Sequence, residues 1–195
     1  MPRPREFDPD AALENAMQAF WAKGYEATSL DDLCAATGLA RSSLYATFGD
    51  KHALLLAAID RYTEIRIAAF LGERFGEPRP IRKAFAAFID ELIGRIVSGS
   101  GRRGCFLGNC AAELARDDRE AQARVRRGLT HIEGTFKVAL DAAKARGELP
   151  SKTDTAALAR FFMCVIQGLR LVGKANPDRK TLDDIKRVAL AVFDR

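Results

Sequence analysis

The segment GLARSSLYATFGDK, residues 38–51, sets one arginine, two serines, a tyrosine, a threonine and a lysine between two apolar runs. Arg41, Ser42, Ser43 and Thr47 are short or polar groups that can hydrogen-bond base edges. The Tyr45 hydroxyl and the Lys51 ammonium suit phosphate oxygens. The chemistry such a set performs is recognition of an anionic polymer, with no bond made or broken. A second set is built on thiols. Cys105 in GRRGCFLGNC follows Arg102 and Arg103 and precedes a predicted helix start, and both features favour thiolate. Cys110 follows at a spacing that puts it roughly 140° away around a helix, so the two side chains diverge. The four cysteines and two histidines, His52 and His131, show no CxxC or Cys/His ligand spacing. Neither metal nor organic cofactor is expected.

Such groups act only when a scaffold fixes them, and the composition supplies one. The chain has 195 residues, 48% hydrophobic and 29% charged, enough apolar material for a sizeable core. No uncharged apolar run approaches the roughly 18 residues that span a bilayer. The start MPRPREFDPD has no apolar leader region. A cytoplasmic protein with no membrane partner is expected. The net charge of +5 is unevenly spread: residues 1–60 carry −4 and the rest +9. If the N-terminal part meets nucleic acid, it does so with a few placed groups and not a broad positive field. Arg3 and Arg5 are read either as an arm touching it or as a frayed terminus.

Apolar residues recur at helical spacing and no window alternates like a strand, so the fold class is all-α, with about nine helices. The predicted helices cover 9–23, 29–36, 40–47, 51–71, 81–97, 104–115, 118–146, 153–174 and 179–194. Asp8-Pro9 reads as an N-cap followed by a first-turn proline. Ser29 and Asp32 form a capping-box pair. Thr37-Gly38 ends the second helix, glycine being free to take the left-handed conformation of a sharp turn. Leu33, Leu39 and Leu44 form an apolar wedge, and the small Cys34 lets the second and third helices cross closely. This is the outline of a helix-turn-helix, whose second helix presents Arg41, Ser42, Ser43 and Thr47 outward. The helix at 153–174 is apolar around more than half its circumference, which suits burial on two sides, one of them another subunit.

The stretch FWAKGYEATSLDDLCAATGLARSSLYATFGDKHALLLAAI, residues 20–59, resembles the DNA-binding domain of the tetracycline-repressor (TetR) family. KGYEATSLDDL, TGLARSSLY and TFGDKHALL match in order and spacing. The resemblance implies an N-terminal three-helix DNA-binding domain over 1–50 and a helical ligand-binding and dimerisation domain over 51–195. It implies a ligand-responsive regulator, a repressor, that binds a palindromic double-stranded DNA operator as a homodimer. Effector binding would shift the fourth helix and release DNA. Carried over by position, Thr28 and Ser29 fall at the phosphate-contacting start of helix 2, Arg41, Ser42 and Ser43 among the recognition contacts, and Tyr45 and Lys51 among the phosphate clamps. Two departures stand out. Ala40 occupies the place of a capping serine, at a cost of about 1 kcal/mol, and Thr47 replaces a frequent histidine.

The same resemblance sets Cys105 where electrophile- and oxidant-sensing members carry a Gly-Cys helix start. Cys105 is therefore read either as a reactive sensor or as a small buried residue closing a helix. Phe106, Asn109, His131, Phe162 and Gln167 are further ligand-site candidates, with ordinary packing as the alternative reading. His131 and Gln167 are the polar exceptions on apolar stretches. Two rival classes stay open: a thiol enzyme using Cys105 and Cys110, for which the sequence offers no base, and a helical dimerisation module without DNA binding.

Overall fold

The computed structural model describes residues 7–76, 79–114 and 116–194; Arg3 and Arg5 lie outside them. Among the described residues all regular structure is helical. The order is α1 (Pro9–Lys23), α2 (Leu30–Thr37), α3 (Arg41–Phe48), α4 (Lys51–Arg61), a π-helical turn (Tyr62–Ile67) and α5 (Ala68–Phe75). Then come α6 (Ile81–Val97), α7 (Phe106–Leu114), α8 (Arg119–Ala145), α9 (Thr155–Ala175), α10 (Arg179–Leu190) and a short 3-10 turn (Ala191–Asp194). Two compact units form: Met1–Arg66 with Phe106–Arg126, and Ile67–Cys105 with Arg127–Arg195. Compactness thus cuts the chain differently from the functional boundary expected at residue 50.

In the first unit the local signals act as their chemistry dictates. The Asp8 carboxylate accepts the Asp10 N–H and Pro9 takes the first turn of α1, which buries Ala12, Ala16, Met17 and Phe20. Ser29 and Asp32 close a full capping box on α2, and Gly38 ends it at φ 71°. Leu33 and Leu44 are buried between α1, α2, α3 and α4, where Leu54, Leu55, Ala58 and Ile59 complete the core. Ala40 is the N-cap of α3 and offers no side-chain bond. The helix predicted for 51–71 instead continues to Phe75 and contains the π-helical turn. The Thr63 hydroxyl donates to the Ile59 carbonyl (3.0 Å) and so competes with the backbone ladder there.

Lys23 donates to Asp32 at 2.5 Å and, together with the Ser29 N–H and hydroxyl, holds the Asp32 carboxyl down from 3.8 to about 2. A carboxyl whose folded-state pKa is depressed stabilises above its unfolded value, and that stabilisation is lost as pH falls toward the folded one. The wild type should therefore melt above Asp32→Asn near neutral pH. The two circular-dichroism midpoints should converge as pH falls from 3.8 to about 2.

The second unit is organised by phenylalanine. Phe162 stacks on Phe85 (ring centroids 4.0 Å, 25°) and on Phe193 (5.2 Å, 13°), which also meet each other at 5.7 Å. Phe75, Phe88 and Phe136 extend the cluster. Gly173 lets α9 approach α6, because a Cβ there would fall 2.5 Å from an Ile96 methyl. Among the described helices, α9 alone is long and apolar enough to cross a membrane (21 residues, mean hydropathy 1.5), and a third of that apolar window is buried within the fold. Arg160 and Arg170 interrupt it.

Candidate nucleic-acid interface

The recognition surface starts from Leu44. Its burial fixes the rotation of α3 about its own axis, and Arg41, Ser42, Tyr45 and Ala46 then emerge on the exposed side. Ser43 and Thr47 are half-buried flanks. Tyr45 leaves 45% of its surface exposed. The Arg41 guanidinium is bonded to Asp31 on α2 at 2.6 Å, with both side chains largely exposed. Such a solvated pair is cheap to exchange for a phosphate or a guanine edge.

Two further groups stand beside α3. Ser29 is exposed, and its hydroxyl serves the capping box of α2. Lys51 opens α4, where Asp50 caps the helix by accepting the Ala53 N–H at 2.7 Å. The Lys51 ammonium sits 4.4 Å above the Tyr25 ring. Burial, with the carboxylates of Glu26, Asp50 and Asp118, pushes the Tyr25 phenol above its ordinary pKa, so it stays a neutral hydroxyl. Thr28 is placed differently from its neighbours. It is fully buried and its hydroxyl donates to the Gly24 carbonyl at 2.5 Å, which makes it a brace for the α1–α2 turn.

Tyr25, Asp31, His52 and Glu113 were not singled out from sequence for any part in this surface. Tyr25 stands within KGYEATS, and its position after Gly24 is the one local hint. Asp31, in the first turn of α2, suits the positive end of the helix dipole, and its side chain pairs with Arg41. His52 meets Asp118 at 2.7 Å. Burial raises the Asp118 pKa, but the Ala121 N–H and His52 outweigh it and bring the net value below the ordinary one.

The ligand-site candidates are not gathered in one place. Cys105 is buried and receives a contact from the Gln167 amide at 3.6 Å. Gln167 also lines a cavity of about 20 Å³ with Phe88, Phe136, Ile166 and Arg170. Phe162 belongs to the aromatic stack and His131 points to solvent on α8. In the first unit, buried Phe106 packs its ring on Tyr62 (5.6 Å) and Trp21 (6.3 Å), and Asn109 is half-buried. Among the described residues no group of three His, Cys, Asp or Glu side chains is placed to hold a metal ion.

The sequence profile of "Bacterial regulatory proteins, tetR family" matches residues 12–58, and that of "Tetracyclin repressor-like, C-terminal domain" matches 81–189. The chain belongs to the TetR family. As a TetR-family protein it is a DNA-binding transcriptional regulator with a helix-turn-helix head and a helical C-terminal domain. It is 34% identical over 191 residues to the HTH-type transcriptional repressor ComR of Escherichia coli (strain K12), covering 98% of this chain and 91% of that one. To the HTH-type regulator YezE of Bacillus subtilis (strain 168) it is 34% identical over the full length of both chains. A cysteine-substituted form of the TetR-family regulator CifR, solved with a 26 bp double-strand operator, superposes with a TM-score of 0.83. That pair shares 30% identity over 96% of this chain and 98% of CifR.

Proposed function

We propose that this TetR-family chain is a cytoplasmic, ligand-responsive repressor that binds a palindromic operator as a homodimer. Residues 1–50 read DNA; residues 51–195 dimerise and take the effector. The observation that carries this reading is the outward side of α3, where buried Leu44 leaves Arg41, Ser42 and Tyr45 exposed beside Lys51. Its likeness to CifR, which was solved on operator DNA, supports the same assignment. Arg41, Ser42, Ser43 and Thr47 face base edges; Tyr45, Lys51 and Ser29 meet phosphates, and buried Thr28 braces the turn that places Ser29. In a two-fold dimer the two α3 helices read half-sites about one helical turn apart, roughly 34–36 Å. An effector that shifts α4 changes this separation and unseats one reader.

The effector reading centres on Cys105 and Gln167, which touch within the second unit, with Phe106, Asn109, His131 and Phe162 as further candidates. A cavity of about 20 Å³ holds no organic molecule, so binding there requires the lining helices to part. An electrophile or oxidant needs only to reach the thiol. Burial of Cys105 also favours its role as a packed residue that closes the start of α7. Maleimide labelling of the native protein followed by mass spectrometry separates the two, since a sensor thiol is modified and a packed one is not.

The DNA reading is tested by selecting sites from a random duplex library with the wild-type protein. An inverted repeat should be enriched. On that duplex Lys51→Ala should weaken binding to all sequences alike and lower the salt slope by about 1. Arg41→Ala should also flatten base preference at one position of each half-site. Wild-type affinity in both variants would contradict the assignment.

A further inference from the structure

Glu113 on α7 belongs neither to the core nor to the DNA-facing residues, yet both of its carboxylate oxygens are used. One accepts the Tyr25 N–H at 3.0 Å and the other the Glu26 N–H at 2.8 Å. A side chain 87 residues distant from Glu26 therefore closes the α1–α2 turn. The turn is shaped around it. Gly24 has φ 86°, and a Cβ there would fall 2.9 Å from a Glu113 oxygen. At the other end of the same helix Phe106 is seated on Tyr62 and Trp21. From the turn the contacts run on to the phosphate clamp. The Tyr25 ring supports the Lys51 ammonium at 4.4 Å and meets the edge of His52 at 6.4 Å.

Placed here, a carboxylate opposes DNA binding by simple Coulomb repulsion, and residues 1–60 already carry −4. The turn amides stand at the exposed surface, where water can satisfy them without any charge. We infer that Glu113 is a positioning residue of the DNA interface: by holding the Tyr25–Glu26 backbone it sets the Tyr25 ring, and through it Lys51, where a phosphate is met. This rests on the DNA-binding reading above.

The sign of the effect separates this role from bulk electrostatics. Charge removal alone predicts that Glu113→Ala binds DNA more tightly; positioning predicts weaker binding. The experiment measures fluorescence anisotropy on the duplex enriched by the wild type, across a salt series. Glu113→Ala should bind about tenfold more weakly, with a salt slope lower by about 1. It should cause no further loss when combined with Lys51→Ala. Glu113→Gln, which keeps one acceptor oxygen, should fall between, and it carries the test if circular dichroism finds the alanine variant unfolded. Gly24→Ala should reproduce the loss by displacing the carboxylate. Unchanged or tighter binding by both Glu113 variants overturns the inference, as does a loss that adds in full to that of Lys51→Ala. A wild-type protein that enriches no duplex removes the DNA-binding reading and this one with it, a distinct result.

Discussion

Leu171→Glu is expected to leave the chain monomeric and to weaken operator binding by about 100-fold or more. Leu171 is 71% exposed on α9 and Val188 is 65% exposed on α10. Phe161 and Cys164 lie on the same exposed side of α9 at helical spacing. Between them stands Gly168, where an added Cβ would meet nothing within 4 Å, so a second helix can approach closely. A contiguous apolar face of this kind marks a binding surface, and a two-fold partner is the occupant that an inverted-repeat operator demands. A glutamate at its centre would be desolvated without a partner, which disfavours association strongly. Two linked half-sites gain roughly 10²–10⁴ over one, and the monomer forfeits that gain. Sedimentation should report the 21.4 kDa chain mass for the variant and twice that for the wild type. A dimeric variant with full affinity would move the interface elsewhere.

Phe162→Ala should cost the second unit about 4 kcal/mol, within the 3–5 kcal/mol range for a buried phenylalanine. The ring is fully enclosed, stacked on Phe85 and Phe193 and met edge-on by Phe161. Removing it takes a stacking partner from Phe85 and Phe193 and the edge contact from Phe161, and rings held from α6, α9 and the C-terminal turn cannot all collapse into one gap. Urea denaturation followed by far-ultraviolet circular dichroism measures the loss. A cost below about 1 kcal/mol would mean that the site repacks and that the stack does not organise this unit.

Local chemistry was legible in the sequence wherever one residue satisfies its neighbour. Asp8 with Pro9, the Ser29–Asp32 box, Gly38 and the uncapped start at Ala40 all stand as their types dictate. The apolar residues at helical spacing on α8, Val125, Leu129, Ile132, Phe136, Leu140 and Ala143, form a stripe that faces inward, with Leu129 only half-buried. His131 lies one residue from that stripe, about 100° around the helix, and so it is exposed. What spacing could not convey is pairing across the chain. Glu113 reads as an ordinary surface acid on a short helix until the fold brings it to Tyr25 and Glu26. Asp31 reads as a dipole partner until α3 delivers Arg41 to it. Thr28 looks like a free hydroxyl because its acceptor is a backbone carbonyl, which no residue type announces. At the π-helical turn the Thr63 hydroxyl bonds the Ile59 carbonyl, a local competition with the backbone that periodicity does not register. Residues 106–126 join the first unit through Phe106, Glu113 and Asp118, none of which carries a local mark of that destination.

In the proposed complex the outward side of α3 lies against DNA in two copies. A cleaving iron chelate tethered to Ser42→Cys, with Cys34 and Cys164 changed to serine, tests it most directly on the duplex enriched by the wild type. Two clusters of strand cleavage about one helical turn apart, symmetric about the centre of the repeat, are predicted. A single cluster, or none while the protein remains bound, would contradict the account.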